Sequence, residues 1–162
     1  FLAFAYPFMK RITYWPQLFL GITFNWGVIM SWAAMNNSVT PEIILLYVSA
    51  IFWTLGYDTI YGVQDMTDDE IIGVRSTSIK FKKNIKFFVT ISYTLTVLLI
   101  LLLFFSSIGL NFFSGILLIF FISLAYQLIK FEEKDPASCL KIFKFNNFSG
   151  LFLFISILLI NY

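Results

Sequence analysis

Five stretches of this chain, each close to 20 residues long and mostly apolar, are joined by short segments that hold nearly all of its charge. They cover residues 17–35, 41–60, 87–106, 110–128 and 142–160. Crossing the hydrocarbon of a bilayer takes about 20 residues of helix, about twice the length a barrel strand needs. In lipid every backbone N–H and C=O must be satisfied internally, which a helix achieves alone and an open strand does not. The expected fold is therefore all-α, a polytopic transmembrane helix bundle of about five complete spans with the lipid bilayer as its main solvent. Composition agrees: 12% of the residues are charged, against about 25% in soluble domains. The third and fourth spans are the clearest. The fifth is weaker, because Lys144, Asn146 and Asn147 stand near its start.

The charges set the topology. Lys10 and Arg11 precede the first span. Arg75, Lys80, Lys82, Lys83 and Lys86 lie between the second and third, and Lys130, Lys134, Lys141 and Lys144 between the fourth and fifth. These are all 11 basic residues of the chain. With alternating spans they fall on one side, and the two opposite connections, NNSVT and SSIGLN, carry none. The positive-inside rule makes the basic side cytoplasmic, or the matrix side in a mitochondrion. An inner membrane is the expected location. Every acid but Glu42 lies on that side too, so any chemistry is expected to face it.

Other classes fall away. With no His in the chain, Ser-His-Asp and Cys-His catalysis and His-ligated metals are excluded. Cys139 is the lone cysteine, which forbids an internal disulfide and suits a small apolar role. No nucleic-acid partner is expected. The opening FLAFAYPF reads as the end of a hydrophobic helix already under way. It lacks the basic start and cleavage site of a signal peptide, so further sequence upstream is expected.

The chemistry concentrates in residues 57–81, YDTIYGVQDMTDDEIIGVRSTSIKF. Asp58, Tyr61, Asp65, Asp68, Asp69 and Ile72 recur at three- and four-residue steps, so they share one stripe if the second helix continues past the membrane. Two carboxylates about 6 Å apart repel by roughly 3 kcal/mol at an effective dielectric near 20. Crowding Asp65, Asp68 and Asp69 together therefore calls for a partner. Mg2+ suits, being a hard cation held by one or two carboxylates plus substrate phosphate oxygens. The competing reading is a solvated acidic loop, and the basic residues can equally be topology determinants.

Tyr57-Asp58-Thr59-Ile60-Tyr61, Gln64-Asp65, Asp68-Asp69 and Ile72-Gly73-Val74-Arg75-Ser76-Thr77 closely resemble the second aspartate-rich motif of the UbiA-type prenyltransferases. Tyr6-Pro7-Phe8-Met9-Lys10-Arg11, with Trp15-Pro16-Gln17 and Gly21, resembles a further signature of that family, notably of its 4-hydroxybenzoate branch. Departures are mild: Gly62 and Val63 stand where Ala and His are common, Thr67 where an acid is common, and Arg75 where Lys is usual. The resemblance implies a single domain of nine transmembrane helices around a central cavity. This chain would supply the last five and the end of the fourth. It has no Asp before Asp58, so the family's first aspartate-rich motif is expected upstream, and this segment alone is expected to be inactive.

The resemblance further implies Mg-dependent transfer of a polyprenyl group from polyprenyl diphosphate to the ring of 4-hydroxybenzoate, a step of ubiquinone biosynthesis. Asp65, Asp68 and Asp69 would be the metal-side carboxylates, with Asp58 beside them in the catalytic set. Lys10, Arg75, Ser76 and Thr77 would contact substrate. Tyr57 and Tyr61 would line the pocket or face the allylic cation, unless they belong to an interfacial aromatic belt. Arg11 sits between Pro7 and Pro16, which limit regular helix on either side, and it would pair with the benzoate carboxylate; otherwise it anchors the helix at the interface. Alternatives are a sister acceptor in the same family, a remnant of a split gene, or a cation carrier. The carrier is disfavoured because no acid lies mid-span.

Overall fold

The computed structural model describes residues 2–160. Its order is α1 (Leu2–Ile12), α2 (Pro16–Phe24), α3 (Trp26–Asn36), α4 (Pro41–Ile72), α5 (Thr77–Lys80), α6 (Ile85–Leu103), a 3-10 turn (Phe105–Ser107), α7 (Phe112–Lys130) and α8 (Pro136–Leu158). Five stretches are long and apolar enough to cross a membrane: Pro16–Asn36, Pro41–Ile72, Ile85–Leu103, Phe112–Lys130 and Pro136–Leu158. The described residues contain no strand.

Helix starts follow local chemistry. Pro16, Pro41 and Pro136 each open a helix, where a missing N–H costs nothing and the fixed φ is already helical. Asn111 and Asp135 accept from the first-turn N–H groups of α7 and α8, satisfying donors that no helical carbonyl reaches. The chain turns back after Asn36 through Asn37, at φ 51°.

Helix α4 is the axis of the molecule, packing against α2, α3, α6 and α8, while α7 pairs with α8. The buried core runs through Ile60, Val89, Tyr93, Phe113, Phe120 and Leu124. Leu98, Leu102, Leu118, Ile122 and Phe154 point outward, as lipid-facing side chains do. Of the span formed by α2 and α3 only Pro16, Gln17 and Gly21 are buried, and α3 has no buried residue, so much of this helix pair is open to lipid or to further protein.

Four expectations change. The first span is two helices, broken at Asn25. Its side-chain amide donates to the Gly21 carbonyl at 2.8 Å, alongside the backbone bond to the same oxygen, and insertion of this kind kinks a helix. The second span does not end at residue 60: α4 runs unbroken to Ile72, carrying the acidic stripe as helix. The fifth begins at Pro136, not at 142, so Lys144, Asn146 and Asn147 lie inside α8. Helix α1 continues through position 7, and only residues 13–15 separate it from α2.

Candidate functional site

Along α4, Asp58, Asp65 and Asp69 fall within about 40° of one another at 100° per residue. Asp68 is turned well aside and exposed. Asp69 is 8% exposed. Both its oxygens accept from Lys10 Nζ, at 3.3 and 3.1 Å. The ammonium comes from α1, 59 residues earlier in the chain. Asp58 and Asp65 are half-buried and accept no hydrogen bond from any described residue.

A tight turn after α4 brings the next segment onto α1 and α2. Gly73 takes φ 80°, a left-handed conformation that costs glycine nothing. Gly73 N–H donates to Glu70 O at 3.3 Å and Val74 N–H to Asp69 O at 3.0 Å, the paired bonds of a Schellman cap. Arg75 then meets the α1–α2 connection. Its backbone N–H donates to Lys10 O at 2.7 Å and its Nη1 to Ile12 O at 2.8 Å. Its guanidinium lies 5.2 Å from the Tyr14 ring centre, and Lys80 Nζ lies 4.3 Å from that of Trp15.

Ser76 and Thr77 are fully buried and serve this turn. Ser76 Oγ accepts from Ile79 N–H at 3.2 Å, capping α5. Thr77 Oγ1 bonds Thr59 Oγ1 at 2.7 Å, and Thr77 N–H donates to Gln17 Oε1 at 3.0 Å. Ser78 Oγ donates to Thr59 O at 2.8 Å. Gly62 makes room for this packing: a Cβ there would lie 2.5 Å from Ser78 Oγ and 3.2 Å from Gln17 Nε2.

Beside the stripe, Tyr57 and Tyr61 face α8. Their rings lie 5.9 and 4.7 Å from that of Phe143. Tyr57 also meets Trp53 edge-on at 5.9 Å. Phe24, Asn25, Trp53, Tyr57, Phe143 and Asn146 help line a recess of about 390 Å³. Trp53 stands five residues before Asp58, about 7.5 Å along the helix toward the membrane interior.

The structure thus joins Lys10 to Asp69, sets Asp58 and Asp65 on the same face of α4, turns Arg75 onto the α1–α2 connection and packs the two tyrosines on Phe143. Asp68 lies off that face, and Arg11 is exposed at the end of α1 without a polar partner among the described residues. No set of three or more His, Cys, Asp or Glu among the described residues is arranged to hold a metal; the expected trio of Asp65, Asp68 and Asp69 does not converge. Asp58 and Asp65, two turns apart on α4, each offer hard oxygens with no protein donor on them, the kind of carboxylate of which a magnesium ion takes one or two and completes its shell with phosphate and water. Asn25, Trp53 and Asn146 line the recess, and motif reading does not reach them. The available signal was polarity inside apolar runs.

Comparison with known proteins agrees with this geometry. Residues 1–157 match the UbiA prenyltransferase family. The chain is 40% identical over 165 residues to the mitochondrial 4-hydroxybenzoate polyprenyltransferase of Bos taurus, covering 97% of this chain and 43% of that protein. It is 42% identical to the 4-hydroxybenzoate octaprenyltransferase of Aliivibrio fischeri, covering 96% and 55%. The chain therefore spans about half the length of these curated relatives. In fold it is similar to the apo structure of a UbiA homolog from Aeropyrum pernix K1, with a TM-score of 0.77 at 19% identity, over 97% of this chain and 59% of that one. Sequence match, helical architecture and the coming together of both signature segments agree: this multi-pass membrane chain belongs to the UbiA prenyltransferase family.

Proposed function

We propose that this chain supplies the later helices of one transmembrane domain that transfers a polyprenyl group from its diphosphate to the ring of 4-hydroxybenzoate, in the inner membrane of a bacterium or mitochondrion. The observation that carries the reading is the Lys10–Asp69 pair. It joins the YPFMKR segment to the acidic stripe, which supports a site that uses cation and carboxylate together, as binding a metal-diphosphate group requires.

Asp58 and Asp65, with Asp69 one turn beyond Asp65, take the metal-side role. Magnesium, when bound, neutralises the diphosphate and stabilises its charge as it leaves. Lys10 and Arg75 add positive charge at the same end, a preorganised field for the departing oxygens. Breaking the allylic C–O bond sends the electron pair away with the diphosphate. The ring carbon next to the hydroxyl then forms the new C–C bond and loses its proton. Tyr57 and Tyr61 hold ring faces beside the reacting carbon, where they favour developing positive charge. Ser76 and Thr77 act one step back, fixing the turn that aims Arg75. Asp68 has no direct role in this arrangement.

The test is transfer by the full-length protein in membranes, supplied with geranyl diphosphate and ring-labelled 4-hydroxybenzoate. The expected product is C-prenylated hydroxybenzoate, formed with magnesium and lost on adding EDTA. Absence of product, or formation indifferent to EDTA, contradicts the proposal.

A further inference from the structure

The recess beside the acidic stripe contains two carboxamides whose orientations are fixed by partners of unambiguous character. Trp53 Nε1 donates to Asn146 at 3.0 Å. Indole N–H is only a donor, so the Asn146 atom facing it is Oδ1. Gln127 Nε2 approaches the same oxygen at 3.4 Å. Gln127 is itself held by Tyr93 Oη, which donates to its Oε1 at 2.6 Å, and by Ser149 Oγ, which accepts from its Nε2 at 2.9 Å. All three supports are buried. Asn146 Nδ2 has no bond among the described residues, yet its side chain lines the recess.

Asn25 is set the opposite way. Its Nδ2 faces two backbone carbonyls, Gly21 O at 2.8 Å and Ala50 O at 3.3 Å, and Thr54 Oγ1 at 2.8 Å. Carbonyls only accept, so Oδ1 is the Asn25 atom left without a partner among the described residues, on the wall of the same recess. Tyr57 and Asn147 also bring polar atoms to the recess, but Asn146 Nδ2 and Asn25 Oδ1 are the ones whose orientation the protein fixes: one donor and one acceptor, which match a group that is itself acceptor and donor. None of the nine residues lining the recess is charged, and an ion entering it would lose hydration without a counter-charge.

From this we infer that the recess recognises the neutral phenolic hydroxyl of the aromatic acceptor. Asn146 Nδ2 donates to the hydroxyl oxygen, and Asn25 Oδ1 accepts its proton. Asn25 thereby draws the O–H bond toward itself and enriches the adjacent ring carbon that attacks the prenyl group. Gln127 and Trp53 are positioning residues for Asn146. The inference rests on the functional reading above and names the contacts that make that reading selective.

The test uses the full-length protein in membranes, with 4-hydroxybenzoate, 4-methoxybenzoate and 4-methylbenzoate. A lost substrate hydrogen bond that leaves its protein partner buried costs roughly a factor of ten. In the wild-type protein both analogues should inhibit with constants at least about tenfold above the KM for 4-hydroxybenzoate. Asn146→Ala and Asn25→Ala should each raise that KM about tenfold while the KM for geranyl diphosphate stays within about twofold. The two variants should differ in one respect: Asn25→Ala abolishes the preference for hydroxyl over methoxy, and Asn146→Ala retains it. Asn146→Ser, which restores a donor, should recover part of the loss. Equal binding of the three benzoates to the wild type, a measurement that no misfolded variant can obscure, overturns the inference; so do normal KM values in both variants. Complete lack of transfer by the wild type overturns the functional reading, and this inference with it.

Discussion

At the scale of single residues, the site separates groups with protein partners from groups without them. Lys10 is already spent on Asp69 and Arg75 on the Ile12 carbonyl, whereas Arg11 is exposed at the end of α1. A carboxylate entering an apolar cavity needs a cation, and a planar guanidinium can hold both its oxygens. If Arg11 is that cation, Arg11→Ala in the full-length protein raises the KM for 4-hydroxybenzoate about tenfold, and the KM for geranyl diphosphate changes little. Arg11→Lys recovers only part of the loss. Steady-state kinetics with each substrate varied in turn check this; equal effects on both would assign Arg11 to the diphosphate, and no effect to anchoring.

At the scale of elements, the close approach of residues 76–78 to α4 depends on Gly62. Any larger side chain pushes Ser78 and Gln17 apart, breaking the bonds that bury Thr77 and Ser78. Gly62→Val should destabilise the protein by about 1–3 kcal/mol, the usual cost of overpacking, and lower its melting temperature in detergent. A melting curve unchanged by this substitution would show that the turn is not held as described. The elements also differ in how legible they were. Hydropathy alone locates all five spans, and the three- and four-residue steps from Asp58 to Ile72 are those of the continuous helix α4. The break at Asn25 is not legible, because a single Asn does not by itself interrupt an apolar run; its amide turns onto the Gly21 carbonyl of its own span, and Ala50 and Thr54 of α4 hold it there. Gln17 is legible as a signature residue, but its partner is not: its bond to Thr77 spans 60 residues. Lys144, Asn146 and Asn147 read as a weak start to the last span because polarity was weighed against lipid, whereas Asn146 answers to Trp53.

At the scale of the whole molecule, charge asymmetry and site location make one claim. The basic groups, the acidic stripe and the α1–α2 connection share one end of the bundle, and the Asn37 turn lies at the other. Cysteines introduced at Asn37 and Lys83, both exposed, should react with an impermeant maleimide from opposite sides: Asn37 from the periplasm or intermembrane space, Lys83 from the cytoplasm or matrix. Reversed labelling would overturn the orientation and move the site to the wrong face. The account as a whole depends on the carboxylates of α4 acting on a diphosphate, and Asp65 is, with Asp58, one of the two half-buried carboxylates that no described residue engages. The most direct measurement is prenyl transfer by the full-length protein and its Asp65→Ala variant, in membranes matched for inserted protein. The account predicts a loss of at least about a hundredfold, the scale seen when a preorganised electrostatic group is removed; an Asp65→Ala variant with wild-type turnover would contradict it.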